Sequence, residues 1–162
     1  FYPDLICLGK ALTNGFPLSA CVGRATVMDR AWPASEGEAI HTSTYLGHPV
    51  GCAMALAQIK ELKEKKLITQ TRRLGKKFEK LYQRYPIKGA RYIGRGLMAG
   101  LAFDDSDGPR VLTAVKEMLR CGYILLPTGE HGQVIAFSPP LTITEKQLER
   151  TLAILQLSLI HI

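Results

Sequence analysis

Lys10 is the residue whose type and position most clearly suggest chemistry. It follows the short apolar run Leu5–Leu8 and precedes a turn that ends at Pro17. The run predicts a strand covered on both faces, where an unpaired ammonium is costly and tends to lose its charge. A neutral lysine amine is a nucleophile that forms a Schiff base with a carbonyl. Taken alone, the segment favours a plainer interpretation, in which the lysine only extends its ammonium into water.

A second segment, His-Thr-Ser-Thr-Tyr-Leu-Gly-His-Pro, carries residue types that bind anions. It ends at Pro49, a residue typical of the first position of a helix. The hydroxyl groups of Ser43 and Thr44, with the free N–H groups of a helix N-terminus, suit a phosphate. Taken alone, simple N-capping explains the segment better. His41 and His48 have no partner carboxylates, so we predict that both are structural and that no metal is bound.

The elements that must position these residues form an α/β pattern in two domains, 1–68 and 69–156. In the first, two short strands precede a helix that starts buried at Pro49 and ends exposed. In the second, Pro86 stops a long helix, and Thr144 with Gln147 forms a capping box at the last helix. We expect strands at 5–8, 18–22, 92–93, 97–103, 123–126 and 134–137, and helices at 26–30, 49–62, 68–85, 110–120 and from 144 onward.

The last six residues, 157–162, have an unusual sequence for the end of a helix. They resemble the in-frame translation of a transposase adapter used in DNA sequencing. We therefore expect this segment to be a non-native tail.

Composition narrows the class of protein. A chain of 162 residues with 46% hydrophobic and 22% charged residues is typical of a globular domain, and no segment suits a transmembrane helix. The four cysteines occur singly in apolar segments and form no Cys-x-x-Cys pair, which predicts reduced core residues of a cytoplasmic protein. The net charge of +7 is concentrated in 60–91, where helical spacing of the apolar residues places the basic ones toward solvent. We therefore expect neither nucleic acid nor membrane as a partner.

Four segments along the chain match one known pattern in order and spacing. They are Lys10 within 4–17, the Thr44-x-x-Gly47-x-Pro49 loop, Gly94–Met98 and 138–143. Together they resemble the class III aminotransferases, which are fold-type I enzymes that use pyridoxal 5'-phosphate (PLP), and the 4-aminobutyrate and ω-amino acid branch is the most similar. The resemblance implies the C-terminal part of that fold: the end of the large, mainly parallel sheet domain and a small α/β C-terminal domain.

The resemblance also implies roles for particular residues. Lys10 corresponds to the lysine that binds PLP as a Schiff base and moves a proton between substrate and cofactor. Thr44 corresponds to the threonine that reaches the cofactor phosphate across a dimer interface, with the Ser43 backbone close by. The segments 94–98 and 139–143 correspond to parts that close over the substrate. The implied activity is amino transfer from an amine, ω-amino acid or amino acid to a keto acid, in a homodimer or larger homo-oligomer.

Two positions depart from the family pattern. Ala136 replaces an arginine that commonly holds an α-carboxylate, so that group must be held elsewhere or is absent from the substrate. Ile93 replaces a second common arginine, which we interpret as a structural change.

The family's phosphate loop, its ring-stacking aromatic and the aspartate for the ring nitrogen all precede the lysine strand. Asp4 lies too close to Lys10 to be that aspartate. We therefore expect a C-terminal fragment that by itself binds PLP weakly or not at all and is inactive.

Two other functions fit the same sequence. An aminomutase or decarboxylase of the same fold remains open, because PLP supports several reactions and the protein selects which bond breaks. A non-catalytic α/β interaction module with a basic surface is the alternative from a different class.

Overall fold

The computed structural model of the chain describes residues 2–38 and 41–160. The chain divides into two compact units, an N-terminal unit that ends at Lys65 and a C-terminal unit that begins at Lys66. This division lies three residues before the domain boundary expected from the sequence. The assignment of the units to domains of a longer enzyme remains a prediction.

The N-terminal unit contains a two-stranded sheet and two helices. The strands β1 and β2 are antiparallel, with Leu8 opposite Ala20. Pro49 begins the second helix, as predicted, because the first helical position needs no amide donor. The elements are β1 (Leu5–Leu8), β2 (Ala20–Gly23), α1 (Ala25–Ala31) and α2 (Pro49–Glu64).

The burial of the N-terminal unit differs from the prediction. Every residue of β1 is exposed, although we expected cover on both faces. Similarly, α2 buries only Gly51 and Ala55 and does not begin as a buried helix. An apolar run is compatible with a strand or helix, but burial requires other elements packed against it. Two strands and two helices in this unit are too few to cover every apolar face.

The C-terminal unit contains one antiparallel four-stranded sheet in the order β3-β4-β6-β5. Three helices contribute side chains to a single core with one face of this sheet. The elements are α3 (Leu67–Arg84), β3 (Arg91–Arg95), β4 (Met98–Ala102), α4 (Gly108–Arg120), β5 (Leu126–Thr128), β6 (Val134–Phe137) and α5 (Glu145–Ile160).

The core of this unit is built around Phe78 of α3. Its ring makes edge-on contacts with Phe137 and Tyr92, with ring centroids 5.2 and 5.8 Å away. Such contacts join the helix to two strands through both apolar area and ring geometry. Leu101 on β4 and Leu152 on α5 are fully buried in the same cluster.

The fifth strand begins later than the sequence pattern suggested. We expected a strand from Tyr123, but β5 starts at Leu126. After α4, the Tyr123 N–H still donates to the Met118 carbonyl at 2.8 Å, around a left-handed Gly122. This helix-ending motif keeps Tyr123 bound to α4, so the chain reaches the sheet only three residues later.

The last helix begins as predicted. The Thr144 backbone N–H donates to the Gln147 side chain at 2.9 Å, and the Gln147 N–H donates to the Thr144 hydroxyl at 3.2 Å. This reciprocal capping box satisfies amides that the helix itself leaves free. The helix continues to Ile160, and Leu159 lies in the core. Residues 161 and 162 lie outside the described part of the chain, and the non-native origin of 157–162 stays a prediction.

The basic residues of α3 lie toward solvent, as the spacing predicted. The buried residues of this helix are Leu67, Gly75, Phe78 and Leu81. Its charged side chains pair with α5, where Arg84 donates to Glu149 at 2.9 Å and Lys77 contacts Glu145. Among the described residues, none of the helices combines the length and apolar character needed to cross a membrane.

We predict that Gly75→Ala destabilises the C-terminal unit. A Cβ at Gly75 would lie 2.4 Å from the Gly96 Cα, in the turn between β3 and β4. Overpacking against backbone typically costs about 1–3 kcal/mol, more than the roughly 1 kcal/mol that alanine adds to helix propensity. Urea unfolding should show the loss. Lys76→Ala, at the next and exposed position, should change the free energy of unfolding by about 0.5 kcal/mol or less; equal stability of both variants contradicts the prediction.

Candidate functional site

Lys10 has an unusual backbone conformation at the end of β1. Its φ is +45°, in the left-handed region that a residue with a Cβ occupies at a cost of about 1–2 kcal/mol. It begins a single 3₁₀ turn, closed by the Leu12 N–H, which donates to the Gly9 carbonyl at 3.0 Å. Residues held in such conformations cluster at functional sites, so this strain supports a functional role for the lysine.

The side chain of Thr13 stabilises the turn after Lys10. This side chain is only 2% exposed, and its hydroxyl donates to the Phe16 carbonyl. Asn14 and Gly15 both have positive φ, which their residue types tolerate. The chain therefore reverses tightly behind the lysine and returns as β2.

The same turn packs against the start of α2. The Phe16 ring lies 5.2 Å from the His48 ring, which lies 6.2 Å from the Tyr45 ring. A Cβ at Gly51 would lie 3.2 Å from the Phe16 ring, so the glycine lets the turn approach the helix closely. Sequence reasoning missed Gly51, although a glycine within an apolar helical run is itself a signal of close packing.

The loop before α2 leaves Ser43 and Thr44 exposed. The loop is shaped by the Leu46 N–H, which donates to the Ser43 carbonyl at 3.0 Å, and by Gly47, whose φ is +65°. No side chain caps α2, whose N-cap residue is His48. Simple N-capping by Ser43 or Thr44, the plainer interpretation of this segment, is therefore not what the structure contains.

The structure keeps Lys10 exposed, contrary to the predicted buried environment. Within the described part of the chain, no hydrogen bond joins Lys10 to Ser43 or Thr44. The N-terminal unit therefore presents an amine and a hydroxyl loop as two separate features. Their assignment as one cofactor site remains a prediction.

His41 and His48 both pack against aromatic rings. His48 lies between the rings of Phe16 and Tyr45, and His41 lies edge-on to Trp32 at 6.5 Å. The Nδ1 atom of His48 is buried and has no hydrogen-bond partner. Among the described residues, no group of three or more His, Cys, Asp or Glu side chains is arranged to hold a metal.

In the C-terminal unit, Ala136 and Ile93 belong to one row across the sheet. Ile93 is opposite Gly100, Gly100 is opposite Ala136, and Ala136 is opposite Leu126. A Cβ at Gly100 would lie 3.4 Å from the Ile93 Cγ1, so the isoleucine covers the glycine. The row is uncharged and lies on the face opposite the helices. Sequence reasoning treated Ile93 as unrelated to Ala136, because only the strand register aligns them.

The edge of this row opens into an apolar pocket. A cavity of about 340 Å³ is lined by Ala136 and Leu126 of this row and also by Phe137 of the core and Leu148 of α5, so it is not confined to the open face; none of its lining residues is charged. Met98 is 76% exposed on the open face of the sheet. The nearest cations on this face are on β3, where Arg91 and Arg95 flank Ile93 two residues away on either side.

Comparison with known proteins identifies the family. The family model Aminotransferase class-III matches residues 1–159. A 2-aminoadipate transaminase of Pseudomonas putida is 36% identical over 163 residues, which cover 95% of this chain and 38% of that protein. A leucine/methionine racemase of Thermococcus litoralis is 35% identical and is matched over 93% of this chain and 34% of its own length. Other matched relatives are 5-aminovalerate and ornithine aminotransferases.

The fold agrees with solved structures of the same family. An ornithine aminotransferase of Toxoplasma gondii, whose active site is partially occupied by PLP, superposes with a TM-score of 0.83 and 33% identity. The match covers 98% of this chain and 37% of that one. The chain belongs to the class-III aminotransferases and has the mixed α/β fold of their PLP-dependent structures. Membership implies PLP as the cofactor. The chain spans little more than a third of the length of these relatives.

Proposed function

We propose that this chain carries the lysine and one phosphate-binding loop of a PLP-dependent aminotransferase, which moves an amino group from an amine, ω-amino acid or amino acid to a keto acid. The observation that supports this most directly is the left-handed Lys10 at the end of β1, in a segment matched by the family. A strained lysine, held by a turn that is itself anchored, is typical of a positioned catalytic group.

The residues of the N-terminal unit fit the cofactor chemically. Lys10 offers a solvent-accessible primary amine, the group that would hold the PLP aldehyde. Ser43 and Thr44 offer free hydroxyl groups beside an uncapped helix N-terminus, an arrangement that suits the PLP phosphate. PLP, when bound, acts as an electron sink for the substrate carbon. With PLP bound, Lys10 would be the group that moves the proton at that carbon.

A different reaction of the same family is a second candidate. One relative with 35% identity is a racemase, so membership in the family is compatible with reactions other than amino transfer. The predicted aminomutase and decarboxylase alternatives belong to the same group. Product analysis with a panel of amine donors and keto acceptors separates them, because only amino transfer converts the acceptor into an amine.

Lys10→Ala tests the proposal in the complete enzyme that contains this chain. We expect loss of the yellow cofactor band, loss of the adduct that borohydride traps, and an activity lower by about 10²- to 10⁴-fold or more. Absorbance spectroscopy and mass spectrometry of borohydride-treated protein measure the first two.

Lys63→Ala, which removes an exposed lysine of α2, is the matched control and should retain colour, adduct and activity. A Lys10→Ala protein that still traps a cofactor adduct overturns the proposal. A wild-type protein that never turns yellow with PLP supports the non-catalytic interaction module.

Mixed dimers test whether Thr44 serves the partner subunit. In homodimers, Thr44→Ala should raise the PLP dissociation constant by about 10- to 100-fold, because a hydrogen bond to a charged group is worth about 1.5–3 kcal/mol. A dimer of one Lys10→Ala chain and one Thr44→Ala chain then contains one intact site if the threonine acts across the interface. Titration of PLP should find one tight site per mixed dimer; none is expected if Thr44 acts within its own subunit.

The row that contains Ala136 supports a proposal about the substrate class. In the family, the C-terminal segments close over the substrate, and an uncharged row there provides no bidentate partner for a carboxylate. We therefore propose that the substrate carries no carboxylate at the position that Ala136 contacts, or that Arg91 or Arg95 of β3, two strands away, binds it. The uncharged residues of the row itself, Gly100, Ala136 and Leu126, favour the first of these.

Ala136→Arg should shift the preference of the complete enzyme toward carboxylate substrates. We expect kcat/KM for an α-amino acid donor to rise about 10- to 100-fold relative to an amine without a carboxylate, because one charged hydrogen-bonding pair is added. Pre-steady-state measurement of the donor half-reaction isolates this effect from the acceptor. Ala102→Arg, on the same face of the neighbouring strand, is the positional control. An unchanged preference means that the row does not contact the substrate.

A further inference from the structure

Cys7 and Cys21 lie directly opposite each other on β1 and β2. The strand register pairs their Cα atoms, and both residues are exposed, so the prediction that they lie in a core is wrong. The other two cysteines, Cys52 and Cys121, have no such partner in the register. Two thiols that face each other across a strand pair are the one arrangement among the described cysteines that backbone geometry itself brings together.

The hydrogen-bond pattern shows which kind of cross-strand pair this is. The Arg24 N–H donates to the Asp4 carbonyl at 3.1 Å, so these two residues form a hydrogen-bonded pair at the open end of the hairpin. Such pairs alternate with non-hydrogen-bonded pairs along antiparallel strands. Cys7 and Cys21 are three positions further along, and they therefore form a non-hydrogen-bonded pair.

Non-hydrogen-bonded pairs bring side chains closest together. Their Cα atoms are separated by about 4.5 Å, which lies within the range of about 4.4–6.8 Å found for disulfides. Arg24 and Asp4 also form an ion pair at 3.2 Å, which holds the two strands together at the open end of the hairpin. A bond between the two sulfur atoms therefore requires little displacement of either strand.

The electrostatics of the pair agree with close contact. Desolvation, followed by the hydrogen bond and the charge of Cys7, raises the pKa of the Cys21 thiol above its ordinary value. A thiol whose proton is shared with a neighbouring sulfur has its pKa shifted in this direction. The direction of this shift agrees with two sulfur atoms in hydrogen-bond contact.

We propose that Cys7 and Cys21 form an oxidation site, at which a low-molecular-weight disulfide converts the facing thiols into an intramolecular disulfide. The Cys7 thiolate attacks one sulfur of the reagent, forms a mixed disulfide and releases one thiol. Cys21 loses its proton to solvent, attacks the Cys7 sulfur and releases the second thiol. The two cysteines lose two electrons in total, and the reagent gains both.

The new bond would close a loop that contains Lys10. The segment between Cys7 and Cys21 includes the 3₁₀ turn Lys10–Leu12 and the reversal at Asn14 and Gly15. Oxidation would therefore tether the strand that presents the lysine to its neighbour. The inference concerns thiol chemistry alone and stands whether or not Lys10 binds a cofactor.

Peptide mapping of the complete, natively folded protein tests the proposal. The protein is treated with glutathione disulfide, its remaining thiols are alkylated, and it is digested with trypsin without reduction. Trypsin cleaves after Lys10 and Arg24, so Cys7 and Cys21 fall on separate peptides. We expect a linked pair of peptides whose mass is two hydrogens below the sum of the two, and its loss after reduction.

Variants establish which thiols react. Cys121→Ser should still form the linked pair, whereas Cys7→Ser and Cys21→Ser should each retain glutathione on the remaining cysteine. Because the linked peptide is measured in the wild type, a variant that folds poorly does not decide the result. The proposal is overturned if glutathione stays on both cysteines without a link, if neither cysteine reacts, or if either pairs with Cys52 or Cys121 instead.

Discussion

The close approach of α3 to the turn between β3 and β4 is the constraint on which the C-terminal unit depends. Gly75 lies against the Gly96 backbone with no room for a side chain. This contact lets Phe78, one turn further along, reach the rings of Tyr92 and Phe137. Leu152 of α5 completes the same core, so the helices occupy one face of the sheet and leave the other open.

The face of the four-stranded sheet that the helices leave uncovered carries the residues on which the proposed substrate specificity depends. A sheet covered on one side only has a second set of residues, at alternate positions, that is free to contact other molecules. In this unit that set includes Ala136 and Ile93, aligned across the strands by hydrogen bonding. Any change in register by one residue would exchange this set for core residues such as Ile135, so specificity is tied to stability of the sheet.

In the N-terminal unit, contacts between residues close in sequence contribute more to the structure than a shared core does. Thr13 and the positive-φ residues Asn14 and Gly15 shape the chain reversal after Lys10 through local contacts. Phe16 and Gly51 then position this turn on α2. Much of the remaining surface of the unit is apolar and exposed, as at Val22 and Leu56, which is unusual for a folded surface on its own.

Sequence alone determined the elements whose signals are local. The capping box at Thr144, the proline that begins α2 and the amphipathic spacing of α3 each depend on residues within one or two turns. Family membership was likewise available from segments matched in order along the chain. These features are predictable because neighbouring residues carry nearly all of the information that specifies them.

Tertiary structure alone decided which distant residues meet and which surfaces are covered. The late start of β5, the exposure of β1, the row that joins Ile93 to Ala136, and the facing of Cys7 and Cys21 all depend on packing or strand register. Register is a relation between two segments, and the same alternating pattern fits more than one register until a core selects one. The identity of each of these residues was visible in the sequence, whereas its neighbours were created by the fold.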